Sequence, residues 1–389
     1  MKINVSLYHR TIGVEYDDRI QKIFASIATL TTKTPKAFLF ERNNLARKGH
    51  FAQGGSFEVF HLPFASKKVP RPGPFWSFYE IIAESLMSFG KIRDQDPDVV
   101  VIQNHRLFGL VHLLLLNPKR EYRLVWDLRE LPTGFMRKGS LRSQYFGWLM
   151  QKCDAVIVTN QSRQAYMREL YGPLALENSF VVPNYPSIEF ASSSSSNLNN
   201  ALASKLGNRR FFYLQNPSSQ GRYPQQGIEA VLKYTDLSVV VSGRLDEQAK
   251  GFLESVWGEV FHERVILTGM IPSKDIISLL DRCVAALVFY NWDLPNNDFC
   301  DPNRLYQALA RGIPVVVGGN KGMKPIVEPL CCGVVTDEDG RSAEDIGVAL
   351  QRLLLAHDMY RQNAIKARNA FVWESNERVL LRAIFGGNL

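Results

Sequence analysis

The chain has 389 residues, 46% apolar and 22% charged, with a formal net charge of +8 at neutral pH. That length exceeds one typical domain and suits two, and the balance predicts a well-packed soluble protein. The positive charge favours anionic partners, but the cations form no single arm and no zinc-finger or RNP-type pattern occurs, which argues against nucleic acid.

The opening segment, MKINVSLYHR, reads as a strand and lacks the basic-then-apolar order of a secretory signal peptide. Further strand candidates in the first half are AFLF, SFEVF, DVVVI, RLVW and DAVIV, separated by helical stretches such as Asp17–Thr31 and Ser162–Tyr171. No stretch approaches the roughly 20 apolar residues that span a bilayer. The five cysteines, Cys153, Cys283, Cys300, Cys331 and Cys332, form no CxxC pair, so neither a zinc site nor a disulfide framework is expected, and a cytoplasmic location is. The stretch FVVPNYPSIEFASSSSSNLNN then breaks both periodicities with Pro183, Pro186 and a serine run. It marks a domain boundary: a first domain over 1–185, a linker over 186–204 and a second domain over 205–371.

The second half repeats the alternation. FFYL, LSVVV, RVILT, CVAALVFY and IPVVV are strand candidates, with helices near Gln225–Tyr234, Ser273–Arg282 and Pro302–Arg311. Alternating βα units of nearly all-apolar strands predict α/β domains built on parallel sheets. Two such domains are expected to hold a ligand beyond the carboxyl ends of their strands, in a cleft at the seam. The tail, about 372–389, reads as an amphipathic helix with Phe371, Val379, Leu380, Ile384 and Phe385 as its apolar residues.

Five stretches, in this order, carry a resemblance: YDDRIQKIFASIATL, LVWDLRELP, CDAVIVTNQSRQAYMRELYG with FVVPNYP, RVILTGMIPSKDIISLLDRC, and PNRLYQALARGIPVVVGG. Together they resemble the retaining GT-B glycosyltransferases of the large bacterial group that builds cell-surface polysaccharides. The resemblance implies two Rossmann-like domains facing each other across a cleft, an N-terminal acceptor domain and a C-terminal donor domain. It also implies a nucleotide-sugar donor, no obligatory metal or other cofactor, and a C-terminal helix that packs back on the first domain.

The donor chemistry can be read from residues. Without a metal, a departing pyrophosphate is neutralised by Arg, Lys, backbone N–H groups and helix N-termini. Arginine binds two phosphate oxygens at once. In CDPNRLYQALARG, Asn303 and Arg304 fall in the first turn of a helix and Gln307 one turn later on the same face. In the related enzymes a glutamate stands at the position of Gln307 and holds the ribose, and its companion falls at Phe299; Asp298 or Asp301 are candidate substitutes. Arg222, beside Gly221, fits the family's phosphate loop. The usual lysine of that loop falls at Gln226, and Lys321 or Lys324 could replace it. Arg244 follows the next strand. Main-chain atoms at Gly269, Met270 and Ile271 match the stretch that reads the base, leaving UDP- and GDP-sugars both open. Gly318 and Gly319 would let a donor sugar approach the backbone, or simply form a turn.

For the acceptor, Asp127 and Glu130 flank Arg129 in WDLRELP just beyond a strand and are the candidate carboxylates, with Asp127 as base in an inverting alternative. Many relatives carry histidine where Arg129 stands; Arg129 could contact phosphate or sugar but not act as a base. An ion-paired loop joining Arg129 to Asp127 or Glu130 is the competing reading. Asn104 and His105 follow another strand and match a cleft position of the family loosely. Two stretches that mix Lys/Arg with aromatics, KKVPRPGPFWSFYEIIAESLMSFGK and FMRKGSLRSQYFGWLMQK, suit either an anionic membrane surface or solvated helices. The expected function is sugar transfer to a polysaccharide or lipid-linked acceptor. A nucleotide-sugar epimerase of the same fold, or a non-catalytic partner in an assembly complex, are the alternatives.

Overall fold

The computed structural model describes residues 4–387 apart from 12–16, 29, 32, 42–45, 53, 62–72, 195–197, 199 and 216–220. Tyr16, Thr29 and residues 67–72 of the stretches singled out above, with 195–197 and Asn199 of the serine-rich stretch, lie outside the described residues. The chain divides into two compact units, Met1–Pro183 with Asn376–Leu389, and Asn184–Ser375.

In the first unit the elements run β1 (Val5–Thr11), α1 (Asp18–Ala28), β2 (Lys36–Glu41), β3 (Arg47–His50), β4 (Ser56–Phe60), α2 (Gly73–Gln95), β5 (Val99–Gln103), α3 (Phe108–Leu115), β6 (Arg123–Leu128), α4 (Leu141–Lys152), β7 (Ala155–Val158), α5 (Gln161–Tyr171) and β8 (Ser179–Val181). They form one eight-stranded sheet in the order β3-β4-β2-β1-β5-β6-β7-β8. Every pair is parallel except β3 with β4. Strand β3, Arg-Lys-Gly-His, is half-exposed and edge-placed, so it carries no apolar signal in the sequence. The interior strand β5 is buried along its whole length, as a strand covered on both faces must be.

The second unit contains α6 (Ile188–Ser192), α7 (Asn200–Leu206), β9 (Phe211–Gln215), α8 (Pro224–Tyr234), β10 (Ser238–Ser242), α9 (Glu247–Arg264), β11 (Val265–Gly269), α10 (Ser273–Arg282), β12 (Ala285–Val288), α11 (Pro295–Asp298), α12 (Asn303–Ala310), β13 (Val315–Val317), α13 (Lys324–Leu330), β14 (Gly333–Val335), α14 (Ala343–Leu355) and α15 (His357–Ala367). Its six strands are all parallel, in the order β11-β10-β9-β12-β13-β14. Alternate residues feed opposite cores: Phe211 and Tyr213 pack on one face of the sheet, Phe212 and Leu214 on the other. The stretch 186–204, expected as a linker, lies inside this unit and forms α6 and part of α7. Leu198, Leu202 and Leu206 are buried in its core.

The last helix, α16 (Glu377–Phe385), belongs to the first unit. Its buried Leu380, Ala383, Ile384 and Phe385 form an apolar stripe, and the helix packs against β5, β6, β7 and β8. Arg123 ties it down, donating to the Ala383 carbonyl from Nε and Nη2, both at 3.2 Å.

Each sheet has one point where the strand order reverses. From β1 the chain passes to β2 on one side and later to β5 on the other; from β9 it passes to β10 and later to β12. At such a switch point the loops diverge, leaving a crevice beyond the strand ends.

Candidate functional site

At the β9–β12 switch point two arginines converge on one ring. Arg304, in the first turn of α12, donates from Nη1 to the Gln215 carbonyl at 2.6 Å, where β9 ends. From Nη2 it donates to Tyr290 Oη at 2.6 Å, just beyond β12. Its guanidinium lies 5.0 Å from the Tyr290 ring centroid, and that of Arg222 lies 5.3 Å from the same ring. Burial first, and then repulsion from Arg222, pull the Arg304 pKa below its ordinary value, while Tyr290 opposes both. The two guanidinium groups repel each other, so together they concentrate positive charge beyond the ends of β9 and β12. The hydrophobic strand endings and α12 were visible in the sequence. Tyr290, the ring that organises both arginines, was not singled out.

The other donor-site residues fall into groups. Gln307 sits one turn along α12, and its Oε1 is buried with no hydrogen-bond partner among the described residues. Asn303 is exposed and accepts from Asn184 Nδ2 at 2.7 Å. Gly243 donates to the Gly269 carbonyl at 2.7 Å, tying together the ends of β10 and β11. That bond brings exposed Arg244 and the segment Met270–Ile271 to adjacent strand ends. Met270 is 80% exposed, whereas Ile271 packs against the core. Lys321 is engaged: its Nζ pairs with Asp298 Oδ2 at 2.8 Å and lies 5.1 Å from the Phe299 ring. Asp301, a candidate ribose ligand, is buried and accepts from Tyr306 Oη at 2.6 Å. Lys324 pairs with Glu328 along its own helix. A Cβ on Gly318 would lie 2.7 Å from the Asp339 carbonyl oxygen, so internal packing alone requires glycine there.

Beside Arg222, Tyr223 occupies the left-handed region at φ 45°, ψ 49°. Its hydroxyl donates to Asp339 Oδ2 at 3.0 Å. Burial, then the Asp339 contact, push the Tyr223 pKa up to about 12, so the phenol stays a donor at neutral pH. Arg341 donates to Asp339 from Nε at 2.8 Å and from Nη2 at 2.9 Å.

In the first unit the structure corrects the reading of Asp127. It lies within β6, fully buried, and not beyond the strand's end. Arg19 of α1 grips it with Nε at 3.0 Å and Nη2 at 3.0 Å, and Gln103 Nε2 donates at 2.8 Å. A carboxylate so enclosed holds a charge pair together and has no access to an acceptor hydroxyl. Arg129 is ion-paired, but with neither expected partner: Nη1 donates to Asp17 Oδ2 at 2.7 Å. His9, at the end of β1, brings Nε2 within 2.9 Å of the same Asp17 oxygen and 3.1 Å of Arg129 Nη1. Burial alone would push the Asp17 carboxyl up; the Arg129 charge and His9 outweigh it and hold Asp17 well below the usual carboxylate range. Glu130 is exposed.

Asn104 and His105 stand at the β1–β5 switch point. Asn104 adopts φ 77° and caps the turn that follows, accepting from the Arg106 N–H at 3.3 Å. Burial lowers the His105 pKa against the attraction of Glu130, which favours a neutral imidazole. His9, Asp17 and Arg19 carry the unit's polar centre and were missed as site residues. The available signal was charge on a helix face that should be apolar, since Arg19 and Lys22 are buried with Ile20, Ile23 and Ile27.

Among the described residues, no cluster of three or more His, Cys, Asp or Glu side chains has the placement to hold a metal. No protein-family model matches the chain, and no curated protein sequence matches it. Solved structures do match over almost the whole length. A sucrose-phosphate synthase from Thermosynechococcus elongatus is 15% identical with a TM-score of 0.69, covering 98% of this chain and 97% of its own. HepE from Anabaena, solved with UDP and glucose, is 14% identical with a TM-score of 0.69, covering 98% of each chain. WaaG, a glycosyltransferase involved in lipopolysaccharide biosynthesis, is 14% identical with a TM-score of 0.64, covering 99% of this chain and 100% of its own. At these identities the likeness is one of fold, the GT-B arrangement of two parallel-sheet α/β domains.

Proposed function

We propose that this chain, built on the GT-B fold, is a glycosyltransferase that moves a sugar from a UDP- or GDP-sugar to a polysaccharide or lipid-linked oligosaccharide. The observation that carries the reading is the convergence of Arg222 and Arg304 on Tyr290 at the switch point of the second sheet. Unit 184–375 binds the donor in this reading and unit 1–183 the acceptor.

Each donor group has a role. Arg222 and Arg304 bind the pyrophosphate and stabilise its charge as the glycosidic bond to it breaks. Gln307 Oε1, a buried acceptor, takes a hydrogen bond from a ribose hydroxyl. The backbone at Met270–Ile271 faces the base, and Arg244 adds positive charge at the next strand end. Lys321 contributes through its backbone and its pairing with Asp298. In the reaction the acceptor oxygen attacks the anomeric carbon, the carbon–oxygen bond to phosphate breaks, and the diphosphate leaves with the electron pair. In this reading the acceptor oxygen attacks from the face that the diphosphate leaves, which retains configuration, and its proton passes to the departing phosphate; the enclosure of Asp127 by Arg19 and Gln103 favours this over Asp127 as an inverting base. Arg129, fixed by Asp17 and His9, and exposed Glu130 contact acceptor or donor sugar. The guanidinium pair supplies the charge that a metal supplies elsewhere, so no metal is obligatory here.

Release of nucleoside diphosphate from UDP- and GDP-sugars in the presence of glycan or lipid-linked acceptors tests the function. Arg304→Ala should lower kcat/KM by about 100-fold or more. Unchanged turnover in that variant, or donor conversion without transfer, would overturn the reading; the latter would indicate an epimerase. A product NMR spectrum showing inversion would overturn retention.

A peripheral site on the inner membrane face is the companion proposal for the first unit. No described helix is long and apolar enough to cross a membrane. Leu116, just past α3, and Leu141 and Trp148 of α4 are exposed, and Tyr145 stacks on Trp148 with centroids 6.2 Å apart. Arg137, Lys138, Arg142 and Lys152 accompany them, with no acidic residue between Pro132 and Cys153. Apolar and aromatic side chains mixed with cations suit an anionic lipid surface. Flotation with anionic liposomes should recover the protein, and Trp148→Ser with Arg142→Glu should release it; absence of binding by the unaltered chain removes the proposal.

A further inference from the structure

We infer that Tyr223 and Asp339 are positioning residues that set the direction of Arg222; the inference rests on the donor-site reading above. The loop carrying Arg222 is conformationally unusual on both sides. Gly221 has φ 77°, and Tyr223 is left-handed at φ 45°. A tyrosine adopts that conformation at a cost that the surroundings must offset. The offset is visible. Tyr223 Oη donates to a carboxylate, Asp339, that is completely buried and held by its own donors. Those donors are Arg341, through Nε and Nη2, and the Trp292 N–H at 2.9 Å.

Trp292 matters because it closes a circuit. The segment Tyr290–Trp292 leaves the end of β12, and the Arg222 loop is stitched to it twice. The Asn291 N–H donates to the Gly221 carbonyl at 2.9 Å, and the Trp292 N–H and the Tyr223 hydroxyl share Asp339. Arg222 lies between the two stitches, and its guanidinium rests on Tyr290, the first residue of that segment. Arg304 rests on the same ring. The hydroxyl of Tyr223 thus fixes the backbone from which Arg222 reaches the ring, and with it the separation of the two guanidinium groups.

Tyr223→Phe removes only the hydroxyl. Titration with UDP and with GDP, using whichever the unaltered chain binds more tightly, should show a dissociation constant raised about three- to tenfold. In an Arg222→Ala background the same change should have less than about a twofold effect, because residues acting through one another are not additive. A merely structural tyrosine would give the same factor in both backgrounds, and that result, or full affinity in folded Tyr223→Phe, overturns the inference while leaving the donor site standing. If the unaltered chain binds neither nucleotide, the donor-site reading falls and this inference with it. Should Tyr223→Phe not fold, Tyr223→Gly, which tolerates the left-handed backbone, replaces it with the same two predictions.

Discussion

Asp127 shows how a residue can sit in the right motif for one role and be placed for another. Beyond RLVW it read as a carboxylate at a strand edge. Its side chain instead points inward and is consumed by Arg19 and Gln103. Removing one member of a buried pair leaves the other charge uncompensated, at about 3–5 kcal/mol. Asp127→Asn is therefore expected to lower the unfolding free energy by about 3 kcal/mol in urea titrations; a variant of unaltered stability would contradict this placement. Asp17 gives a pH dependence with a definite sign. Its pKa is lower folded than unfolded, so its contribution is fully present above the unfolded value of about 4 and fades as pH falls from there through the folded value. The stability advantage of the unaltered chain over Asp17→Asn should shrink as pH falls below about 4, the range in which Asp17 itself titrates. A difference that persists unchanged at pH 3 would argue against the pairing with Arg129. Neither pairing was legible in the sequence, because both join side chains far apart along the chain, Arg19 with Asp127 and Asp17 with Arg129.

At the scale of elements, the legible parts were those whose local pattern agrees with their burial. The helix expected at Ser273–Arg282 is α10, and the burial of its Ile277, Leu279 and Leu280 explains why. The strand candidates in the middle of each sheet are apolar runs and form β5, β10 and β12. What escaped were elements whose identity comes from their neighbours. Strand β3 exists by pairing with β4, and β14 is three residues long. The serine-rich stretch hid α6, α7 and Leu198, whose burial depends on the second unit's core. Packing between helices is equally specific. Gly347 of α14 touches Tyr234 at the end of α8, where a Cβ would lie 2.2 Å from the ring. Gly347→Ala should cost about 1–3 kcal/mol by overpacking, read as a lower thermal midpoint. A loss under about 0.5 kcal/mol would mean that the ring moves aside freely.

At the scale of the molecule, the alternation of βα units foretold two parallel sheets, and both sheets are present. The strand order was not foretold, and it is the strand order that locates the candidate site. Only with β9 between β10 and β12 do Gln215 and Tyr290 stand side by side, where Arg304 can bridge them. The resemblance carried by PNRLYQALARGIPVVVGG pointed to α12, but the partner ring and the Asp339 tether come from loops that the sequence leaves featureless. Hydrogen–deuterium exchange with and without a saturating UDP- or GDP-sugar reports where the donor binds. Slowed exchange is expected in peptides covering Gly221–Pro224 and Tyr290–Gln307, and its loss in Arg304→Ala. Protection confined to peptides of the first unit, or protection that survives Arg304→Ala, would contradict that placement of the donor.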